Sequence, residues 1–407
     1  MLTDERNESQ LMNVVRRLFQ AGLFIFTFTV IVGILNGLDL MEFERSMLMA
    51  HVHAGTLGWI TLGVIAACFW MFSDGEELSG WRATSPGWIS WLSIISIAAY
   101  AYAFYTGDLD LRLAGGSITL VALVAFFAWV VSQSRQVTLT VPRLGMLAAA
   151  TTLAMGAAVG VLMGIYLTGG LPDLPQGIFI AHPTFLVVGF LILAGMAIAE
   201  WGLRSEHKLL KQDKLGVAQV LLPFLGGLII TAGAFLDNEL LIGLFVPIEL
   251  VTVIIILVRL GKYVIRAPWM KSDPRRYYAI SIIFALVNVG FLSYLVISFV
   301  TGKYGEDFSL IPLWLVFAMD HAMFIGVLTN GLLALVYQAT LEHRSLWPWA
   351  DQLIFWAINI GMVGFVAGLM LDETGIKRVF SPIMGGGILL AIITYTARMQ
   401  LKSKEAA

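Results

Sequence analysis

Long uninterrupted apolar runs limit this chain to one kind of architecture. A helix needs roughly 20 apolar residues to cross a bilayer core, and in lipid every backbone N–H and C=O must be satisfied internally. Twelve runs meet that requirement, near 18–37, 48–73, 88–105, 115–133, 143–167, 176–203, 214–236, 239–259, 277–301, 309–338, 350–371 and 379–398. They are continuous rather than alternating, which excludes a closed β-barrel. The expected fold is therefore an all-α polytopic membrane protein. Composition agrees: 58% of residues are hydrophobic and 13% charged, whereas a soluble domain is nearer a quarter charged. The single cysteine, Cys68, lies in an apolar run, so an internal disulfide, a Cys-rich zinc site and a Cys-ligated iron–sulfur cluster are all excluded. No cleavable signal is expected. The first seventeen residues are polar and include Arg6, Arg16 and Arg17, and the apolar run behind them is long enough to span.

The cations are distributed unevenly. Both ends of the chain and the even-numbered loops hold about 20 of the 25 Lys and Arg residues, clustered at 204–214 and 259–276, and the other loops hold about five. Cytoplasmic loops carry the excess of Lys and Arg, so both termini are expected inside. The second, sixth and tenth runs then descend from the outer face. The net charge of −2 conceals this asymmetry. The lipid bilayer is the expected partner, and nothing points to nucleic acid.

Those three runs carry histidines at matching places. His51 and His53 open the second run, His182 opens the sixth, and His321 lies in the outer half of the tenth. When Gly58, Gly189 and Gly326 are aligned, His51 falls on His182 and His53 on His321. The period is four helices, with units near 18–133, 143–259 and 277–398 arranged about a pseudo-threefold axis. Imidazole ligates haem iron and copper, and an ionisable group inside a membrane marks a functional site by default. His207 and His343 fall in cytoplasmic loops.

The chain resembles subunit I of the haem–copper oxidase superfamily, the catalytic subunit of cytochrome oxidases and nitric oxide reductases. The segment from His51 to Trp59 is similar to the His-x-His motif of cbb3-type members, although there it belongs to the tenth helix. The resemblance implies twelve helices, both termini inside, a bacterial cytoplasmic membrane, b-type haem and redox chemistry on oxygen or nitric oxide. His51 or His53 would match the low-spin haem ligand of the second helix, and His321 its partner. His182-Pro183 would match the His-Pro pair at the active-site metal. Lys377-Arg378 would match the basic pair that receives haem propionates. Electrons would come from a cytochrome c, a cupredoxin or quinol, since the chain has no Cys-x-x-Cys-His motif, and small accessory subunits are implied as well. The chain departs from the family at the seventh helix, which lacks the His-His copper ligands, and at the tenth, where the motif is reduced to Asp320-His321. A three-histidine copper site of the family's design cannot be built.

Residues two apart on a helix point about 200° apart. His51 and His53 therefore serve different neighbours rather than one ion. The glycine register pairs His53 with His321 in a bis-histidine haem, and His51 with His182 in a second haem or copper site. Asp320, Glu249 and Glu200 are the candidates for a proton relay, and Asp320 could also orient a ligand imidazole. Two other readings compete: a haem sensor or assembly factor without catalysis, and a secondary transporter without haem.

Overall fold

A computed structural model describes residues 2–175, 177–204, 213–304, 310–343 and 345–401, with side chains from Leu11 onward. Twelve helices are long and apolar enough to cross a membrane: α1 Leu11–Gly37, α2 Arg45–Ser73, α3 Trp81–Thr106, α4 Leu109–Ser134, α5 Val141–Leu167, α6 Ile178–Leu203, α7 Lys214–Leu236, α8 Glu239–Ile265, α9 Arg275–Val300, α10 Leu313–Ala339, α11 Ala350–Met370 and α12 Thr374–Gln400. The protein is a multi-pass membrane protein. Large apolar side chains such as Phe24, Ile254 and Val258 are more than half exposed on the rim of the bundle, where lipid is their natural solvent. The tenth helix starts at Leu313 rather than near 309, so His321 lies about two turns into it.

The histidine helices α2, α6 and α10 are the most enclosed of the twelve. Each changes from α to π winding at the same place. The π segments are Ala54–Thr61, Phe185–Leu191 and Ala322–Thr329, and Gly58, Gly189 and Gly326 are each the fifth residue. These glycines have a shared packing role. A methyl group on Gly58 would strike Ile25 of α1, one on Gly189 would strike Thr152 of α5, and one on Gly326 would strike Phe284 of α9, all inside 3 Å. Each inner helix is thus pressed against the helix that opens its own unit. Thr61 and Thr329 end their π segments by donating to the carbonyls of Thr56 and Phe324, five residues back.

The turns on the face opposite the two chain ends recur with the same period. Asp39, Gly169 and Gly302 adopt positive φ two residues beyond α1, α5 and α9. In each turn that residue donates its N–H to the carbonyl three back, and the next residue donates to the carbonyl five back, the Schellman pattern at a helix C-terminus. Gly107, Asp237 and Asp372 do the corresponding work two residues before α4, α8 and α12. The turn at Asp237-Asn238 is two residues long, and the Asn238 side chain caps α8 at Leu241 N–H.

Candidate functional site at the starts of the histidine helices

All four histidines lie within about two and a quarter turns of the ends of their helices on the face opposite the chain termini, and all are half-buried. His51 and His53 precede the π segment of α2 and are still α-helical. They therefore point to opposite sides of α2. His51 faces α1, where a Cβ on Gly33 would lie 3.2 Å from its Cε1. His53 faces α3 and stacks on Phe104 with ring centroids 3.6 Å apart and planes 17° apart, and Tyr100 meets it edge-on at 6.0 Å. The aromatic pair and the glycine each fix one ring of α2 against a neighbouring helix.

Three of the four rings are oriented by the main chain. The Nδ1 of His53 bonds the Met49 carbonyl at 2.8 Å, that of His182 the Gly156 carbonyl at 2.9 Å, and that of His321 the Phe317 carbonyl at 2.8 Å. A carbonyl only accepts, so Nδ1 is the donor and Nε2 of the neutral ring is left with its lone pair. The Nδ1 of His51 is buried and makes no hydrogen bond. The orienting group for His321 is thus the Phe317 carbonyl and not Asp320, which makes no hydrogen bond or ion pair with any described residue.

The charge interactions between the rings run between other partners than the glycine register suggests. His51 lies within electrostatic reach of His321, and His53 within reach of His182. Each pair therefore joins a histidine seven residues before the shared glycine to one five residues before it. Units related by rotation meet through unlike surfaces, as in any heterologous ring interface. Identical positions face the same way around the ring and do not meet.

Each pair has basic side chains toward the face opposite the chain termini. Lys377 and Arg378, in the first turn or so of α12, both reach Asp39, at 3.0 and 3.1 Å. Ser381, one turn further along, bonds the Gly33 carbonyl at 3.5 Å, and Gly33 abuts His51. Beside the other pair, Arg112 of α4 lies 4.9 Å above the Phe104 ring that stacks on His53. Arg112, Phe104 and Tyr100 have no motif around them. The signal for Arg112 is its position in the period, five residues after Gly107 as Lys377 is five after Asp372.

Among the described residues, no three His, Cys, Asp or Glu side chains come together as a metal cluster. Each junction offers two imidazoles. Two imidazoles cannot complete a tetrahedral or octahedral shell alone, but they complete a haem, whose ring supplies four nitrogens. The orphaned Nδ1 of His51, the free Nε2 atoms and the Cβ-less Gly33 and Gly160 beside the rings all suit such a group.

The proton-relay candidates separate. Both oxygens of Glu200 are engaged, by Arg204 at 2.9 Å, Gln219 at 2.8 Å and Arg259 at 2.7 Å, near the opposite membrane face. Glu249 is fully buried in α8, and neither oxygen has a partner. His207 lies outside the described residues.

No protein-family model matches this chain, and no curated protein matches it in sequence.

Proposed function

We propose that this chain is a haem-binding redox protein of the membrane, related in design to haem–copper oxidase subunit I. His51 and His321 would hold one haem, with Lys377 and Arg378 placed to pair with its carboxylates. His53 and His182 would hold a second haem or a copper ion. The observation that carries this reading is the orientation of the imidazoles. Main-chain carbonyls hold Nδ1 on three of them, which leaves Nε2 to bind, and His51 lies within electrostatic reach of His321 as His53 does of His182. A bis-imidazole haem, when bound, carries single electrons and has no open position for a gas.

The chain's own contribution would be to hold the rings, shield them from water and set their charge environment. Glu249 is the better proton-relay candidate, because Glu200 is committed to its ion pairs. Asp320, beside His321 and without a partner, remains a second candidate. A bacterial cytoplasmic membrane, cytoplasmic termini and an external electron donor (cytochrome c, cupredoxin or quinol) belong to this proposal.

Two imidazoles per junction also favour a second reading, electron transfer or haem sensing without oxygen or nitric oxide turnover. The test for both is a reduced-minus-oxidised absorption spectrum of the full chain in detergent, with iron and copper analysis. Sharp haem bands are expected. A shift with carbon monoxide would reveal an open iron position and favour catalysis, and its absence would favour electron transfer. A featureless spectrum with neither metal, from cells supplied with haem, would overturn both readings and leave a transporter as the better account.

A further inference from the structure

The two histidine junctions follow one rule around the ring, and the rule has a third term. His53 of the first unit lies within electrostatic reach of His182 of the second, and His51 of the first within reach of His321 of the third. The remaining junction, second to third, would use the corresponding residues Thr184 and Met319, neither of them a histidine. The outer cations obey the same rule. The junction that uses His321 has Lys377 from that same unit, five residues after the positive-φ residue Asp372. The junction that uses His53 has Arg112, five after Gly107. At the third junction the corresponding residue, five after Asp237, is Ile242. Cation and histidine pair are thus present together at two junctions and absent together at the third. Arg112 also lacks the acidic neighbour its counterparts have. Asp39 pairs with both Lys377 and Arg378 and offsets one of their two charges, but the residue that corresponds to Asp39 in the second unit is Gly169. Arg112 donates Nη2 to the Phe104 carbonyl at 3.1 Å and Nε to that of Ala103 at 3.4 Å. Those bonds leave Nη1 unbonded and the charge without a carboxylate among the described residues.

We propose that Arg112 is the anion anchor of the His53–His182 junction, and that this junction takes the same class of ligand as the other, a tetrapyrrole bearing carboxylates, rather than a bare copper ion. A bare cation gains nothing from an unneutralised guanidinium beside its ligand, whereas a carboxylate-bearing ring supplies the missing counter-charge. This inference rests on the haem reading above and extends it to the second site.

The test uses the full chain, purified from haem-supplied cells, with haem and copper counted per chain and midpoint potentials measured for each haem. His53→Ala marks which haem belongs to this junction. Two haems are expected in the unaltered protein. Arg112→Gln should act on the marked haem alone, lowering its occupancy or shifting its reduction equilibrium at least tenfold toward the oxidised form, about 59 mV for one electron. Arg112→Lys should retain most of that potential, which separates charge from fold. Two haems with both potentials unmoved by Arg112→Gln would overturn the anchor. One haem and one copper, the copper lost in His53→Ala, would overturn the ligand class and leave the His51–His321 reading intact. No haem in the unaltered protein would overturn both.

Discussion

His53 and His182 stand at different positions of their repeating units, five and seven residues before the shared glycine, and they lie within electrostatic reach of one another. The offset is a property of rotation. A helix at the centre of a cyclic arrangement shows one side to the unit before it and the other to the unit after. Two histidines two residues apart on α2 therefore reach both neighbours, and α6 and α10 need one each.

This pairing has a direct test. His51→Ala and His321→Ala are expected to remove the same haem signal, and His53→Ala and His182→Ala the same other one. Spectra in which His53→Ala and His321→Ala remove a common signal would reject the pairing.

The close approach of glycine to the rings sets a graded effect. A methyl group on Gly160 would lie 2.7 Å from His182 Cε1, and one on Gly33 would lie 3.2 Å from His51 Cε1. Gly160→Ala must push the imidazole aside, while Gly33→Ala asks only for a few tenths of an ångström. Loss of the His53–His182 signal in Gly160→Ala, with a smaller change at the other site in Gly33→Ala, is expected in haem spectra. Equal spectra for both variants and the parent would show that the rings are not packed this way.

Asp39 combines a strained backbone with two ion pairs. Its φ is +52°, a conformation its counterparts meet with glycine at Gly169 and Gly302. An αL residue other than glycine costs roughly 1–2 kcal/mol, so Asp39→Gly relieves the backbone and removes the carboxylate, while Asp39→Asn removes the charge alone. Both are expected to raise the midpoint potential of the His51–His321 haem, because Lys377 and Arg378 are then unneutralised and favour the reduced form. The hydrogen bond from Lys377, joined by its charge and by Arg378, holds the Asp39 carboxyl below its ordinary range. A depressed carboxylate contributes stability that is full above its unfolded pKa of about 3.9 and lost as pH falls through the folded value. The difference between the parent and Asp39→Asn should therefore be constant from pH 5 to 8 and shrink only below about pH 4. A difference that varies across the neutral range would assign the effect to another group.

Glu200 and Glu249 should respond differently to the same change. Glu200→Gln leaves Arg259, at 5% side-chain exposure, with Asp213 at 3.7 Å as its one remaining carboxylate among the described residues, and breaking a buried pair costs about 3–5 kcal/mol. A clearly lower thermal inactivation temperature in detergent is expected. Glu249→Gln breaks no hydrogen bond and should leave that temperature nearly unchanged while flattening the pH dependence of the haem potentials. If it destabilises as Glu200→Gln does, Glu249 is a packing residue.

Much of the fold was legible in the residues. Apolar length alone set the twelve spans, because lipid leaves a chain so few ways to satisfy its backbone, and the polar break at Asp237-Asn238 located a turn of only two residues, whereas the equally short turn at Gly107-Asp108 lies inside the longer gap expected between 105 and 115. The four histidines were legible because ionisable side chains are costly in apolar runs. Their partners were not. A register gives position along a helix and says nothing about which neighbour a given side faces, so equivalent positions were matched where the ring joins unlike ones. The π segments left no signal beyond Gly58, Gly189 and Gly326, since π winding has no residue preference comparable to a Pro or a cap. Glu200 read as a candidate relay because its partners Gln219 and Arg259 are 19 and 59 residues away.

α2 is the only histidine helix common to both junctions, and the junction between α6 and α10 has none of the same residues. Whatever the two junctions hold is therefore arranged as an open line with α2 in the middle, not as a closed triangle. Any exchange between the two occupants has one short crossing, through a single helix between His51 and His53, and no alternative way around the ring. A lesion in that one stretch of α2 would sever them, while the same lesion in α6 or α10 would silence only one end.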